Sequence, residues 1–193
     1  MIFLSEFTDP RLKWHCAPSQ WSATPDHLEM RPDSPTDFWS KTHYGFEAHN
    51  GHFLFASVTG DFTLSAEISM KPQHQYDQAG LMVRHSQSCW LKTSIEFEPG
   101  GMNRLGAVVT NAGYSDWSTQ DVPAQTNRFQ LKVVRERNDY LVYASLDLIN
   151  WTQLRIAHLH EHGAVVQCGV YACSPKGAGF IAEFDKLELR AAA

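Results

Sequence analysis

Strict alternation of apolar and polar residues is the property of this chain that most narrows its fold. Phe62, Leu64, Ala66, Ile68 and Met70 share one parity, and Thr63, Ser65, Glu67 and Ser69 the other. A period of two puts the apolar set on one side of an extended strand. The same pattern, or a short apolar run, recurs over 52–58, 79–85, 89–98, 104–110, 129–136, 140–145, 152–156, 165–173 and 180–189. Turn formers separate these runs, among them Thr59-Gly60, Pro99-Gly100-Gly101, Asn111-Ala112-Gly113 and the 175–179 stretch. No stretch longer than about two turns has helical spacing. Short strands at even intervals predict an all-β sandwich or barrel.

The chain of 193 residues suits one domain, 1–193. Its first part, 1–51, is Pro-rich and aromatic, with Pro18, Pro25, Pro32 and Pro35 interrupting any regular run. We expect short strands and ordered loops there, packed on the sandwich, with 27–32 the best strand candidate. Trp14, Trp21, Phe38, Trp39, Tyr44 and Phe46 are too many rings for a free linker, and should cover sheet edges or line a cleft. A net charge of −5 with scattered Lys and Arg argues against a nucleic-acid partner. The apolar start is three residues long before Glu6 and Asp9, too short for a secretory signal, and no run is long enough to span a membrane. Cys16, Cys89, Cys168 and Cys173 lack the spacing of a disulfide scaffold or a paired zinc site, so we expect reduced thiols and a cytoplasmic protein.

Four blocks carry a family resemblance: YDQAGLMVR (76–84), CWLKTSIEFE (89–98), GAVVTNAGYSDWST (106–119) and CGVYACSPKGAGF (168–180). Together they resemble the domain-of-unknown-function 1349 family, which includes the fungal regulation-of-enolase proteins. They are also similar to the β-sandwich modules appended to some family 43 glycoside hydrolases. The resemblance implies a concanavalin A-like jelly-roll sandwich of two antiparallel sheets, one of them concave.

Trp90, Lys92, Ser94 and Glu96 share one side of the 89–98 strand. That side is either the wet wall of a sheet with a Lys–Glu pair, or the floor of a polar-ligand site. Sugars are held by an aromatic platform with charged and amide groups reaching the hydroxyls. Trp90 is the candidate platform, with Lys92, Glu96, Asp77 and Gln78 as its polar set, beside Gly80, which permits close approach. Asn111, Asp116 and Trp117 are candidates for a rim loop, with a turn that tucks Trp117 into the core as the alternative. A glycosidase needs two carboxyls about 5–5.5 or 6.5–9.5 Å apart. Glu96 and Glu98 share a strand side, but the E-x-D-x-x-E run of jelly-roll glucanases ends here in Gly101. His158, His160 and His162 could face one way and hold a metal, but they precede Gly163 and read as a solvated turn. Trp151 reads as a core anchor after a hairpin turn.

These observations lead us to expect non-catalytic binding of a carbohydrate or other polyhydroxylated molecule, with no catalytic residues, cofactor or metal. The alternatives are a protein-interaction module acting on a metabolic enzyme through the aromatic N-terminal part, and a glycoside hydrolase. Oligomeric state is open, because exposed edge strands permit pairing.

Overall fold

The computed structural model describes residues 2–191, and every regular element among them is a β-strand. The N-terminal part contributes β1 (Ile2–Leu4), β2 (Lys13–His15), β3 (Gln20–Ala23), β4 (His27–Arg31), β5 (Phe38–Ser40) and β6 (Glu47–His49). Then come β7 (His52–Thr59), β8 (Phe62–Lys71), β9 (Gln78–Arg84), β10 (Trp90–Glu96), β11 (Asn103–Asn111) and β12 (Tyr114–Val122). The chain closes with β13 (Arg128–Glu136), β14 (Asp139–Ser145), β15 (Thr152–His158), β16 (Val165–Cys173) and β17 (Ile181–Ala191).

Two antiparallel sheets stack as a sandwich. One runs β15-β14-β13-β8-β17-β4-β3, with β1 also on β17, and the other runs β12-β11-β10-β9-β16-β7-β2. Strands β5 and β6 form a separate hairpin. Alternation decides what each strand buries. Phe62, Leu64, Ala66, Ile68 and Met70 of β8 point into the inter-sheet core, where Leu81, Leu91, Ile95, Leu131, Val133 and Phe184 meet them. Burying such side chains is the main driving force, at about 1.5–3 kcal/mol each.

Not every polar position on the opposite parity is solvated. Glu67 is buried on the outer side of β8, where it accepts hydrogen bonds from Arg128, Lys186 and Gln130. These donors hold its carboxyl below the usual range against the opposing effect of burial.

Three features of the fold itself depart from the sequence expectations. Residues 114–122 form a full strand where a rim loop was expected. As an edge strand with mostly exposed positions, β12 lacks the apolar alternation that reveals a strand. Its turn, Ala112-Gly113, has positive φ at both residues and joins Asn111 to Tyr114 as a two-residue hairpin. Trp151 is not a core anchor: it is 38% exposed, with Lys132 Nζ 4.1 Å from its ring centroid. Gly80 serves strand pairing and not ligand approach, because a Cβ there would strike the Thr93 carbonyl of the adjacent strand.

That crowding gives a matched test. Gly80→Ala should cost about 1–3 kcal/mol in guanidinium unfolding, the usual scale of overpacking. Gly101→Ala, facing open space in an exposed turn, should stay within about 0.5 kcal/mol of wild type. Equal effects at the two glycines would contradict the proposed strand contact.

Candidate functional site

The outward face of the seven-stranded sheet carries the residues that the period of β10 sets together. Register puts Gln78 beside Glu96, Met82 and Val108 beside Lys92, and Tyr171 beside Gly80. Trp117 of β12 lies across from Val108, on that same face. This face is not a bare wall. The β5–β6 hairpin packs on it, and Phe38, Trp39, Phe53, Phe55, Met82, Trp90, Val108, Tyr171 and Cys173 form a second apolar cluster outside the main core.

Several bonds fix the cover. Ser40 N donates to Ser115 Oγ at 3.0 Å, and Ser40 Oγ donates to the Gly113 carbonyl at 2.7 Å, docking the hairpin on β12 and its turn. Thr36 N donates to the Ser174 carbonyl at 3.2 Å, and Asp37 N donates to Asn50 Oδ1 at 3.1 Å. Gly51 has no Cβ because the Phe38 ring and Cys173 Sγ occupy that space.

Between hairpin and sheet lies a cavity of about 680 Å³, within the usual range for small-molecule sites. Trp39, Tyr44, Phe46, Tyr76 and Trp117 supply its rings. Asp37, Glu47, His49, Asn50, Tyr76, Lys92, Glu96 and Lys176 supply its polar groups.

One hydrogen-bonded chain organises the floor. Lys92, 3% exposed, donates from Nζ to Gln78 Oε1 at 2.8 Å and to Asp37 Oδ1 at 3.4 Å. Tyr171 OH donates to the same Gln78 oxygen at 3.1 Å. With its oxygen so engaged, the Gln78 amide turns Nε2 toward Glu96 and donates to Oε2 at 3.1 Å. Burial pushes the Glu96 carboxyl up to about 8. Lys92 opposes the rise, Asp37 and Glu98 add to it, and Arg104 opposes it. At neutral pH, therefore, Glu96 is a protonated acid that can donate a hydrogen bond.

The eight sequence candidates divide. Lys92, Glu96 and Trp117 line the cavity, and Gln78 lies directly behind it. Trp90 does not fit the platform role: it is 0% exposed, lies under Phe38, and donates from Nε1 to the Gln87 carbonyl. Asp77 has the opposite parity to Gln78. It is fully buried and accepts from Gln73 N, His74 N and Ser174 Oγ, so it secures loops. Asn111 accepts from His160 N and donates to the His158 carbonyl, which ties the 159–164 loop to the sheet. Asp116 has the opposite parity to Trp117 and pairs with Arg155 of β15 at 2.8 Å, away from the cavity.

Sequence reasoning missed Asp37, His49, Asn50, Tyr76 and Lys176 as lining residues. The only signal for some of them was the density of rings around Asp37 and Asn50 in the first 51 residues. His158 binds Asp139 Oδ1 through Nδ1 at 2.6 Å, and among the described residues no group of three His, Cys, Asp or Glu is arranged to hold a metal.

The sequence pattern of the DUF1349 proteins, described as a protein of unknown function family, matches residues 14–192. The chain belongs to that family. Within reach of this DUF1349 chain is a Saccharomyces cerevisiae relative named "Regulation of enolase protein 1", 35% identical over 166 residues, covering 85% of this chain and 81% of the relative. A crystal structure of a functionally unknown Saccharomyces cerevisiae protein superposes with a TM-score of 0.88 at 31% identity, covering 95% of this chain and 97% of that one. The carbohydrate-binding module CBM66 from Bacillus subtilis shares the fold at a TM-score of 0.60 and 15% identity, covering 92% of this chain and 95% of the module. The all-β concanavalin A-like sandwich is therefore the architecture of this DUF1349 protein.

The raised Glu96 carboxyl has a thermodynamic consequence. Between about pH 4.5, the ordinary value, and about 8, the folded chain keeps a proton that the unfolded chain has released. Stability from this group is fully present below the lower value and declines as pH rises to the upper one. The midpoint of guanidinium unfolding should fall from pH 5.5 to 8.5 in the wild type, and fall less in Glu96→Gln. Parallel profiles for the two proteins would show that Glu96 titrates normally.

Proposed function

We propose that this protein binds a carbohydrate or similar polyhydroxylated small molecule in the cavity between the β5–β6 hairpin and the seven-stranded sheet. The observation that carries this reading is the composition of that cavity: five aromatic side chains face a floor where Lys92, Gln78 and Glu96 are already oriented. Rings of Trp and Tyr suit the C–H faces of a sugar, and fixed donors and acceptors suit its hydroxyls. Pre-orientation lowers the ordering cost of binding. The carbohydrate-binding module with the same fold adds support at the level of architecture. Four unpaired cysteines suit a reducing, cytosolic setting for such a binder.

The platform in this reading is Trp117 or Trp39, not Trp90. A calorimetric and thermal-shift screen of neutral mono- and oligosaccharides and polyols should give a ligand. Trp117→Ala and Trp39→Ala should each weaken it about tenfold or more, equivalent to about 1.4 kcal/mol. Trp151→Ala, on the other sheet, should leave affinity unchanged. A screen without a single hit, or equal losses at Trp151 and Trp117, would count against the cavity.

A second reading rests on exposed rings of the hairpin and of β12. Tyr44 and Tyr114 are 59% and 61% exposed, and Phe46 stands beside Tyr44. Exposed aromatic residues are common anchors of protein interfaces. With a relative named for regulation of enolase, the partner suggested is enolase itself. Under this reading, a Tyr44→Ala/Tyr114→Ala double variant loses enolase in a pull-down with purified enolase, and Trp117→Ala keeps it.

A further inference from the structure

We infer that the cavity also hydrolyses glycosidic bonds, with the Glu96 carboxyl as proton donor to the departing oxygen and the Asp37 carboxylate as the base toward water. The inference rests on the carbohydrate reading above. On the β10 strand alone, a second acid is missing: β10 ends at Glu96, and Glu98 beyond it accepts a hydrogen bond from Gln75 Nε2. The fold supplies one from elsewhere. Asp37 precedes β5, and the docked hairpin brings it to the same cavity as Glu96.

The two carboxyls stand in unlike surroundings. Asp37 accepts a hydrogen bond from Phe38 N at 2.7 Å and forms an ion pair with Lys92 at 3.4 Å. Glu96 accepts a hydrogen bond at Oε2 from the neutral Gln78 amide, its one side-chain partner among the described residues. Its other oxygen is left to carry a proton into the cavity. The rise of its titration to about 8, caused first by burial, agrees with this division. Paired acids whose environments separate their protonation are the usual basis of acid and base roles in glycoside cleavage. Lys92 and Gln78 link the two groups through a chain of hydrogen bonds, from Asp37 Oδ1 through Lys92 Nζ and the Gln78 amide to Glu96 Oε2. The reaction assigned to this pair is a single displacement by water, with the two acids in separate roles.

Glu96 Oε1–H gives its proton to the glycosidic oxygen as the bond from that oxygen to the anomeric carbon breaks. A water oxygen forms the new bond to the anomeric carbon, and Asp37 takes a proton from that water. The products are the free sugar and an alcohol, and solvent returns one proton from Asp37 to Glu96. Gln78 acts as a positioning residue, through Glu96.

The test uses the full chain with p-nitrophenyl glycosides of the common pentoses and hexoses in both anomers, together with the matching disaccharides. Nitrophenolate leaves without protonation, whereas a sugar alcohol does not. Asp37→Asn should therefore lose about 100-fold or more on both leaving groups, and Glu96→Gln about 100-fold or more on the disaccharide but under about tenfold on the nitrophenyl glycoside. Circular dichroism confirms that each isosteric variant is folded. A sugar that raises the melting temperature but is cleaved no faster than by the Asp37→Asn/Glu96→Gln double variant overturns hydrolysis and leaves binding intact. Sugars that neither bind nor react overturn both readings. Equal loss in Glu96→Gln on both leaving groups removes Glu96 as the proton donor.

Discussion

Phe38 seated over Trp90 and Tyr171 is the contact on which the remaining chemistry depends. Ring centroids lie 6.2 Å apart in both pairs, and Gly51 leaves the gap the Phe38 ring fills. A sheet face without that cover would be wet, and a Lys–Glu pair on it would contribute little. With the hairpin in place, the outer face becomes a second apolar cluster with a polar seam at its edge. Burial of large rings supplies the driving force, and the Ser40 bonds to β12 and its turn set the position.

The seam is costly by itself. Taking an ammonium and a carboxyl from water is unfavourable unless each finds partners. Lys92 finds Gln78 and Asp37, and Glu96 avoids the larger penalty by keeping its proton. Filling the same volume with aliphatic side chains would serve stability at least as well. Retaining Lys92, Gln78 and Glu96 in oriented form, facing an aromatic cavity, is consistent with selection for recognition or chemistry at this place.

Local order was legible in the sequence; contacts between distant segments were not. The period of β8 and β10 identifies which side chains share a face, and Lys92, Glu96 and Gln78 do lie along one seam. Asp77 and Asp116 were misplaced because each neighbours a cavity-side residue in the chain but has the other parity, which a loop assignment hides. Trp90 was misjudged for a different reason. Its parity is outward, yet the hairpin that buries it lies some fifty residues earlier. The same long-range docking brings Asp37, His49 and Asn50 to the cavity, and no spacing rule within one strand can announce it.

With Ser40 bonded to Ser115 and to the Gly113 carbonyl, the cover is expected to open together with the sheet and not as a separate flap. Native-state hydrogen exchange measures this directly at the Ser40 amide, which donates to Ser115 Oγ. Protection of that amide close to the level of the β10 amides is the result expected if hairpin and sheet open together. Exchange there at nearly the rate of an unstructured peptide, with β10 still protected, would mean that the cavity is transient and that its buried seam is ordinarily open to water.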